Sequence, residues 1–288
     1  MNPQGRMPGY ISRKFLISGV VIIFLLGGCE GEKSEQGKFL SDKSVENMAP
    51  VPGGMAVIAL SGDPDGLNPL IRRTAESGSV ISEILDTLTE LEAGMVQVPR
   101  IATSWELGSD SLSITYHLRP WIWEDGNPLT ALDVAESFRL FKDPEVASNR
   151  RGFFRNVERA EALDEATVRY HFACKLPDPL SRTQHAILPL HVVSKLKPGD
   201  VNNWELNRKP LSSGPFRMVS WEHSREIILE RNKNYPLKQP LLDRVSFRIM
   251  KEPATRIMAV ETGEIDFAVN VSSLDAKRLQ NRDDLQVM

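Results

Sequence analysis

The sequence predicts a mixed α/β fold, and three observations carry that expectation. Several short stretches alternate apolar and polar residues, the period of a half-buried strand. Others repeat apolar residues at helical spacing, and clusters of Gly, Pro, Asn and Asp punctuate both kinds. The chain has 288 residues, 41% of them hydrophobic and 25% charged, which is enough to bury a substantial core. Its net charge of −3 gives no footing for binding a phosphate backbone, so nucleic acid is excluded as a partner.

Taken in order, Arg6, Arg13 and Lys14 precede an apolar run from Phe15 to Leu26 that leads into Gly27, Gly28 and Cys29. A run of a dozen residues, broken only by Ser18 and Gly19, is too short to cross roughly 30 Å of hydrocarbon as a helix, which takes about 20. Residues 1–29 therefore predict an export signal. The small residues before Cys29 resemble the lipobox of bacterial lipoproteins, which makes Cys29 the expected lipidation site and first residue of the mature chain. Cys174 is the other cysteine, and two isolated cysteines make neither a disulfide framework nor a metal site. Residues 30–52 are polar, rich in Lys, Glu, Ser and Gly, without an apolar period, and predict a flexible tether.

Met55 to Leu60 predicts a short strand, and Ile81, Ile84, Leu85 and Leu88 a helix stripe. Leu112, Ile114, Tyr116 and Leu118 alternate with Ser113, Thr115 and His117, and Val168, Tyr170 and Phe172 with Arg169 and His171, which predicts two half-buried strands. Between them, Asp125-Gly126-Asn127-Pro128 is turn chemistry, with Gly126 free to take positive φ. Thr130 then stands at an N-cap position with Asp133 three residues on, and Ala131, Val134, Ala135, Phe138 and Phe141 follow on one helical face. Phe216 to Trp221 and Ile227 to Glu230 predict a hairpin. Val245, Phe247 and Ile249 predict a further strand, after which Pro253 opens a helix that Gly263 closes.

Catalytic and cofactor classes lack their parts. His117, His171, His185, His191 and His223 have no metal-ligand spacing with one another, with Cys or with paired carboxylates. No nucleophile elbow, His-Glu-x-x-His helix or phosphate-binding glycine loop is present. Glu124 and Asp125 read better as turn carboxylates than as an acid/base pair. The expectation is a binding protein with no catalytic residue, no metal and no cofactor.

Longer motifs point further. Pro99-Arg100-Ile101-Ala102-Thr103-Ser104-Trp105-Glu106, the run to Leu118-Arg119, Trp123 to Val134 and Leu211-Ser212-Ser213-Gly214-Pro215-Phe216 succeed one another, followed by Arg231-Asn232-Lys233-Asn234-Tyr235 and Gly263-Glu264-Ile265-Asp266. In this order they resemble the extracytoplasmic solute-binding proteins, family 5, that serve peptide and nickel ABC importers. The resemblance runs from about Gly53 to the end; Ser212 and Ser213 replace the usual Gly and Thr before Gly214.

The resemblance implies a type II periplasmic-binding-protein-like fold, with first lobe plus associated subdomain and the second lobe largely missing. Residues 53–265 would form the first lobe, with a subdomain inserted at about 90–200, and residues 266–288 the start of the second. Two such lobes close over a solute. The implied function is that of the substrate-binding component of an ABC importer, a monomer held by its lipid at the outer face of the cytoplasmic membrane or in the periplasm. It would deliver a small solute, a peptide or a similar molecule, to permease subunits with their ATPase. A truncated solute-binding lipoprotein with an interaction role is the alternative. For contacts, the resemblance points to the loop after the opening strand, Ser61, Gly62, Asp63, Pro64 and Asp65. There Gly62 permits close backbone approach, and Asp63 or Asp65 either meets a cation or simply makes an Asp-Pro turn. Phe153 and Phe154 are candidates for a cleft wall, and a half-cleft predicts weak binding or none.

Overall fold

The computed structural model describes residues 9–13, 51–92 and 96–287. Cys29, the apolar run before it and all of the tether up to residue 50 lie outside the described residues.

Strand β1 (Gly9–Arg13) is followed by β2 (Met55–Leu60) and helix α1 (Ala75–Ile84). Thr74 caps α1 by accepting from Ser77 N. The expected stripe is buried throughout, but Leu85 is the C-cap and Leu88 lies beyond the helix. The chain leaves the helix there because Asp86 N is drawn to Ser213 Oγ, 3.0 Å away. Two short ribbon strands follow, β3 (Thr89–Glu92) and β4 (Val96–Pro99), then β5 (Ala102–Leu107) and β6 (Ser113–Leu118). Ile114, Tyr116 and Leu118 are buried as the alternation predicts, but Leu112 precedes the strand and is exposed. Thr115, on the opposite face, is buried too, under Arg169, whose Nε donates to Thr115 Oγ1.

Strands β7 (Trp121–Ile122) and β8 (Pro128–Leu129) flank the turn, where Gly126 has φ +88°. Helix α2 (Ala131–Lys142) begins as expected: Asp133 Oδ2 accepts from Thr130 N at 2.8 Å and from Thr130 Oγ1 at 3.0 Å. Its other oxygen accepts from Leu190 N, so the capping residue also ties down a remote loop. A 3-10 turn, Arg151–Phe154, leads to β9 (Val157–Asp164) and β10 (Thr167–Phe172), and then to two single helical turns, α3 (Pro179–Arg182) and α4 (Leu190–Val193). The predicted hairpin is β11 (Phe216–Glu222) and β12 (Glu226–Arg231), followed by β13 (Arg244–Ile249). Helix α5 (Pro253–Thr262) ends at Gly263 in the left-handed region, φ +76°. Strand β14 (Phe267–Val271), helix α6 (Ser273–Leu279) and β15 (Leu285–Val287) complete the described chain.

A seven-stranded sheet runs β11-β12-β13-β2-β14-β1-β15, and a four-stranded sheet runs β5-β6-β10-β9. In the larger one, β2 pairs parallel with both β13 and β14, so three carboxyl ends share one edge. The β11–β12 turn reaches the same edge, because Glu226 on β12 pairs with Arg248 near the end of β13. One core is continuous across both sheets. Leu60, Phe216, Ile227 and Phe247 of the first belong to the same buried cluster as Tyr116, Phe138, Phe141 and Tyr170 of the second. A smaller cluster packs α5 and α6 against the other face. Since β14 stands directly beside β2, the sheet continues past residue 265, where the resemblance placed the lobe boundary. Gly9–Arg13, within the segment expected to be an export signal, lies antiparallel to both β14 and β15.

Candidate functional site

In open α/β sheets, ligands bind beyond the carboxyl ends of the strands. Here that edge carries residues 61–65 after β2, His223, Ser224 and Arg225 in the hairpin turn, residues 250–252 after β13, and Asn270 near the end of β14. The elements are stitched together: Met250 N donates to Leu60 O and Ile249 N to Arg225 O, both at 2.8 Å.

Within the loop, Asp63 is held by the hairpin. Its Oδ2 accepts from Ser224 N at 2.6 Å and Ser224 Oγ at 3.0 Å, with His223 Nδ1 3.3 Å away, and its Oδ1 accepts from Trp221 Nε1 at 3.4 Å. Asp65 is held by the approach to α1, accepting from Arg73 N, Thr74 N, Thr74 Oγ1 and Ser77 Oγ. Burial raises the Asp65 pKa, but these hydrogen bonds outweigh it and leave the carboxyl below its ordinary value. Both aspartates thus act on the loop's own shape. Ser61 Oγ donates to Glu76 and accepts from Asn270 Nδ2, a residue held at φ +57°. Pro64 is buried, whereas Gly62 and Asp63 are half-exposed and make no backbone hydrogen bond to another described residue. A Cβ on Gly62 would meet only Glu76 atoms at 3.9 and 4.0 Å, an ordinary contact. The loop therefore leaves the main chain of Gly62 and Asp63, rather than its carboxylates, uncommitted among the described residues.

The two phenylalanines separate. Phe154 has no exposed surface and packs edge-on to Phe138, inside the core. Phe153 is half-buried and lines an open cavity of about 210 Å³ with Arg155, Val157, Leu176, Pro177 and Arg182. Arg182 lies over the Phe153 ring, 4.7 Å from its centroid, and donates to Phe153 O. The 148–154 segment reaches the first loop through Asn149, whose Nδ2 donates to Arg72 O at 2.7 Å.

Sequence reasoning missed Trp221, Ser224 and Asn270 at this edge. Their role depends on strand pairing across more than 150 residues, and the signal available was the hairpin turn itself. A second cavity of about 410 Å³, lined by charged and amide side chains, lies at the amino end of β13. There Arg217 pairs with Glu230, and Arg231 with Asp243. Among the described residues no group of three His, Cys, Asp or Glu side chains is placed to hold a metal ion, and no helix is long and apolar enough to cross a membrane.

The profile of the bacterial extracellular solute-binding proteins, family 5 Middle, matches residues 96–287. The chain belongs to that family. It is similar to the oligopeptide-binding protein AppA of Bacillus subtilis, with 25% identity over 93% of this chain and 49% of AppA. It is also similar to the probable D,D-dipeptide-binding periplasmic protein DdpA of Escherichia coli, with 28% identity over 81% of this chain and 47% of DdpA. Among solved structures, AppA in complex with a nonapeptide superposes with a TM-score of 0.75 at 23% identity, covering 82% of this chain and 47% of AppA. DppA of Helicobacter pylori, in complex with the peptide STSA, gives 0.72 at 27% identity, covering 81% and 50%.

As a member of family 5, a family of bacterial extracellular solute-binding proteins, the chain has the periplasmic-binding type II fold in part. It spans about half the length of the relatives it matches.

Proposed function

We propose that this protein captures a small solute, a peptide or a molecule of similar size, outside the cytoplasm and presents it to an ABC permease coupled to its ATPase. The observation that carries this reading is the loop at residues 61–65, set at the shared carboxyl edge of β2, β13 and β14, with the main chain of Gly62 and Asp63 unpaired among the described residues. An extended peptide is well matched to such a loop, because main-chain hydrogen bonds give affinity without a strict choice of side chains.

In this reading Ser61, Gly62 and Asp63 meet the solute through backbone atoms, Pro64 and Asp65 fix the loop, Phe153 forms a wall and Phe154 anchors it from the core. Lipidation at Cys29, with residues 30–52 as tether, holds a monomer at the membrane surface. Residues 53–265 act as the first lobe, including the subdomain at about 90–200, and residues 266–288 lead towards the part that closes over the solute. One wall of a cleft buries a ligand incompletely, so the contacts of this edge by themselves give weak binding.

Calorimetric titration of the full chain with a mixture of short peptides tests this. Saturable heat with a Kd of about 1 mM is expected, roughly −4 kcal/mol. Absence of any saturable heat would count against capture at this edge.

A further inference from the structure

Where the 148–154 segment meets the loop before α1, two like charges are brought together. Arg72 and Arg150 are both half-buried. Arg72 rests on Gly78 so closely that a Cβ there would come within 2.8 Å of its Nη1. Arg150 stands 5.4 Å from the centroid of Phe153 and 5.7 Å from that of Phe154, and its Nη2 reaches Gln184 O at 3.5 Å.

Neither arginine takes part in an ion pair among the described residues. The acid that acts on Arg72 is Asp65, whose oxygens are already committed to Arg73 N, Thr74 and Ser77. Burial lowers the pKa of both guanidiniums, and Arg72 lowers that of Arg150 further. Half-buried arginines are ordinarily paired, but among the described residues Arg150 has no acid acting on it and is repelled by Arg72, to which Asp65 is the one acid that responds. Their forked donors match a carboxylate, which would relieve the repulsion and satisfy both.

We propose that Arg72 and Arg150 form a subsite for a carboxylate carried by the captured solute, with the Phe153 ring, steadied by Arg182, as the flat wall beside it. The proposal rests on the solute-capture reading and narrows it to carboxylate-bearing solutes.

Succinate is the probe, read by the arginine Nε–H resonances and by thermal unfolding of the full chain at low salt. It is expected to shift the Arg72 and Arg150 signals and raise the unfolding temperature. Arg150→Gln and Arg72→Gln are each expected to weaken succinate binding about tenfold or more, the scale of a lost charge-assisted hydrogen bond. Without succinate, Arg150→Gln is expected to unfold no earlier than the wild type, since it removes a repulsion. An Arg150 that merely props the fold would instead lower the unfolding temperature when replaced and leave the succinate response intact, overturning the proposal.

Trialanine and its C-terminal amide separate this proposal from the reading beneath it. Equal binding of the two overturns the carboxylate subsite while leaving capture standing. Binding of succinate with neither peptide bound supports the subsite and overturns peptide capture.

Discussion

Gly214 leaves no room for a side chain. A Cβ added there would lie 2.8 Å from Glu83 O, Ile84 C and Ile84 O, all backbone atoms at the end of α1 that cannot swing aside. The close approach has a purpose, since Ser213 N and Gly214 N both donate to Ile84 O, at 3.0 and 2.7 Å. Gly214→Ala is expected to destabilise the fold by about 1–3 kcal/mol, the range for overpacking, as a lower urea midpoint with unchanged slope. The serines before it fit without strain. Ser212 donates to Ile84 O and Phe216 O, Ser213 accepts from Asp86 N, and neither takes a positive φ. Local chemistry of this kind was legible: the Thr130 and Asp133 cap and the Gly126 and Gly263 conformations follow from neighbours within a few positions. The partners of Asp63 were not, because Ser224 stands 161 residues away.

At the scale of elements, α1 and the segment after α3 carry two buried titratable groups that oppose each other. Glu83, on α1, is pushed up to about 7 by burial and then by Glu90, with Arg100 pulling the other way and Asp86 adding to the rise. His185 is pushed down to about 4 by burial; a hydrogen bond to Ala186 O opposes this, and Arg150 lowers it further. Its Nε2 lies 2.7 Å from Tyr170 Oη.

Between about pH 4.5 and 7 the folded chain keeps a proton on Glu83 that the unfolded chain releases, so stability falls as pH rises. Between about pH 6.5 and 4 the unfolded chain takes a proton that folded His185 refuses, so stability falls as pH falls. Each effect is on the order of 3 kcal/mol across its window. In the shared window they nearly cancel, and the stability of the wild type is expected to be flat between about pH 4.5 and 6.5 as far as these two groups decide it. Glu83→Gln removes one arm and is expected to expose a steady loss of stability on acidification, read from urea midpoints at three pH values. A variant profile parallel to the wild type would show that Glu83 is not the opposing group.

Periodicity located the longer elements because their burial repeats regularly. It missed the β3–β4 ribbon and carried the α1 stripe past its end, because Leu85 and Leu88 stay buried although the chain leaves the helix where Asp86 N bonds to Ser213 Oγ.

For the whole molecule, the order of strands decides which loops share an edge, and no local pattern encodes it. That β13 and β14 both lie parallel to β2 is what brings the 61–65 loop, the β11–β12 turn and Asn270 to one edge. The family motifs supplied the fold class in advance, since they record the outcome of that long-range pairing. They did not reveal that the main sheet continues through residues 267–271, or that Phe153 and Phe154 divide between cavity and core.

The central claim is that solute binds at the carboxyl edge of this sheet. It is tested most directly by irradiating the full chain with a photoreactive tripeptide and mapping the adducts by mass spectrometry. Adducts are expected within residues 61–65, at Phe153 and its arginine neighbours, and in the 223–225 turn, all suppressed by excess unlabelled peptide. Suppressible adducts confined to the opposite end, around Glu124, Lys233 and Arg244, would contradict the account.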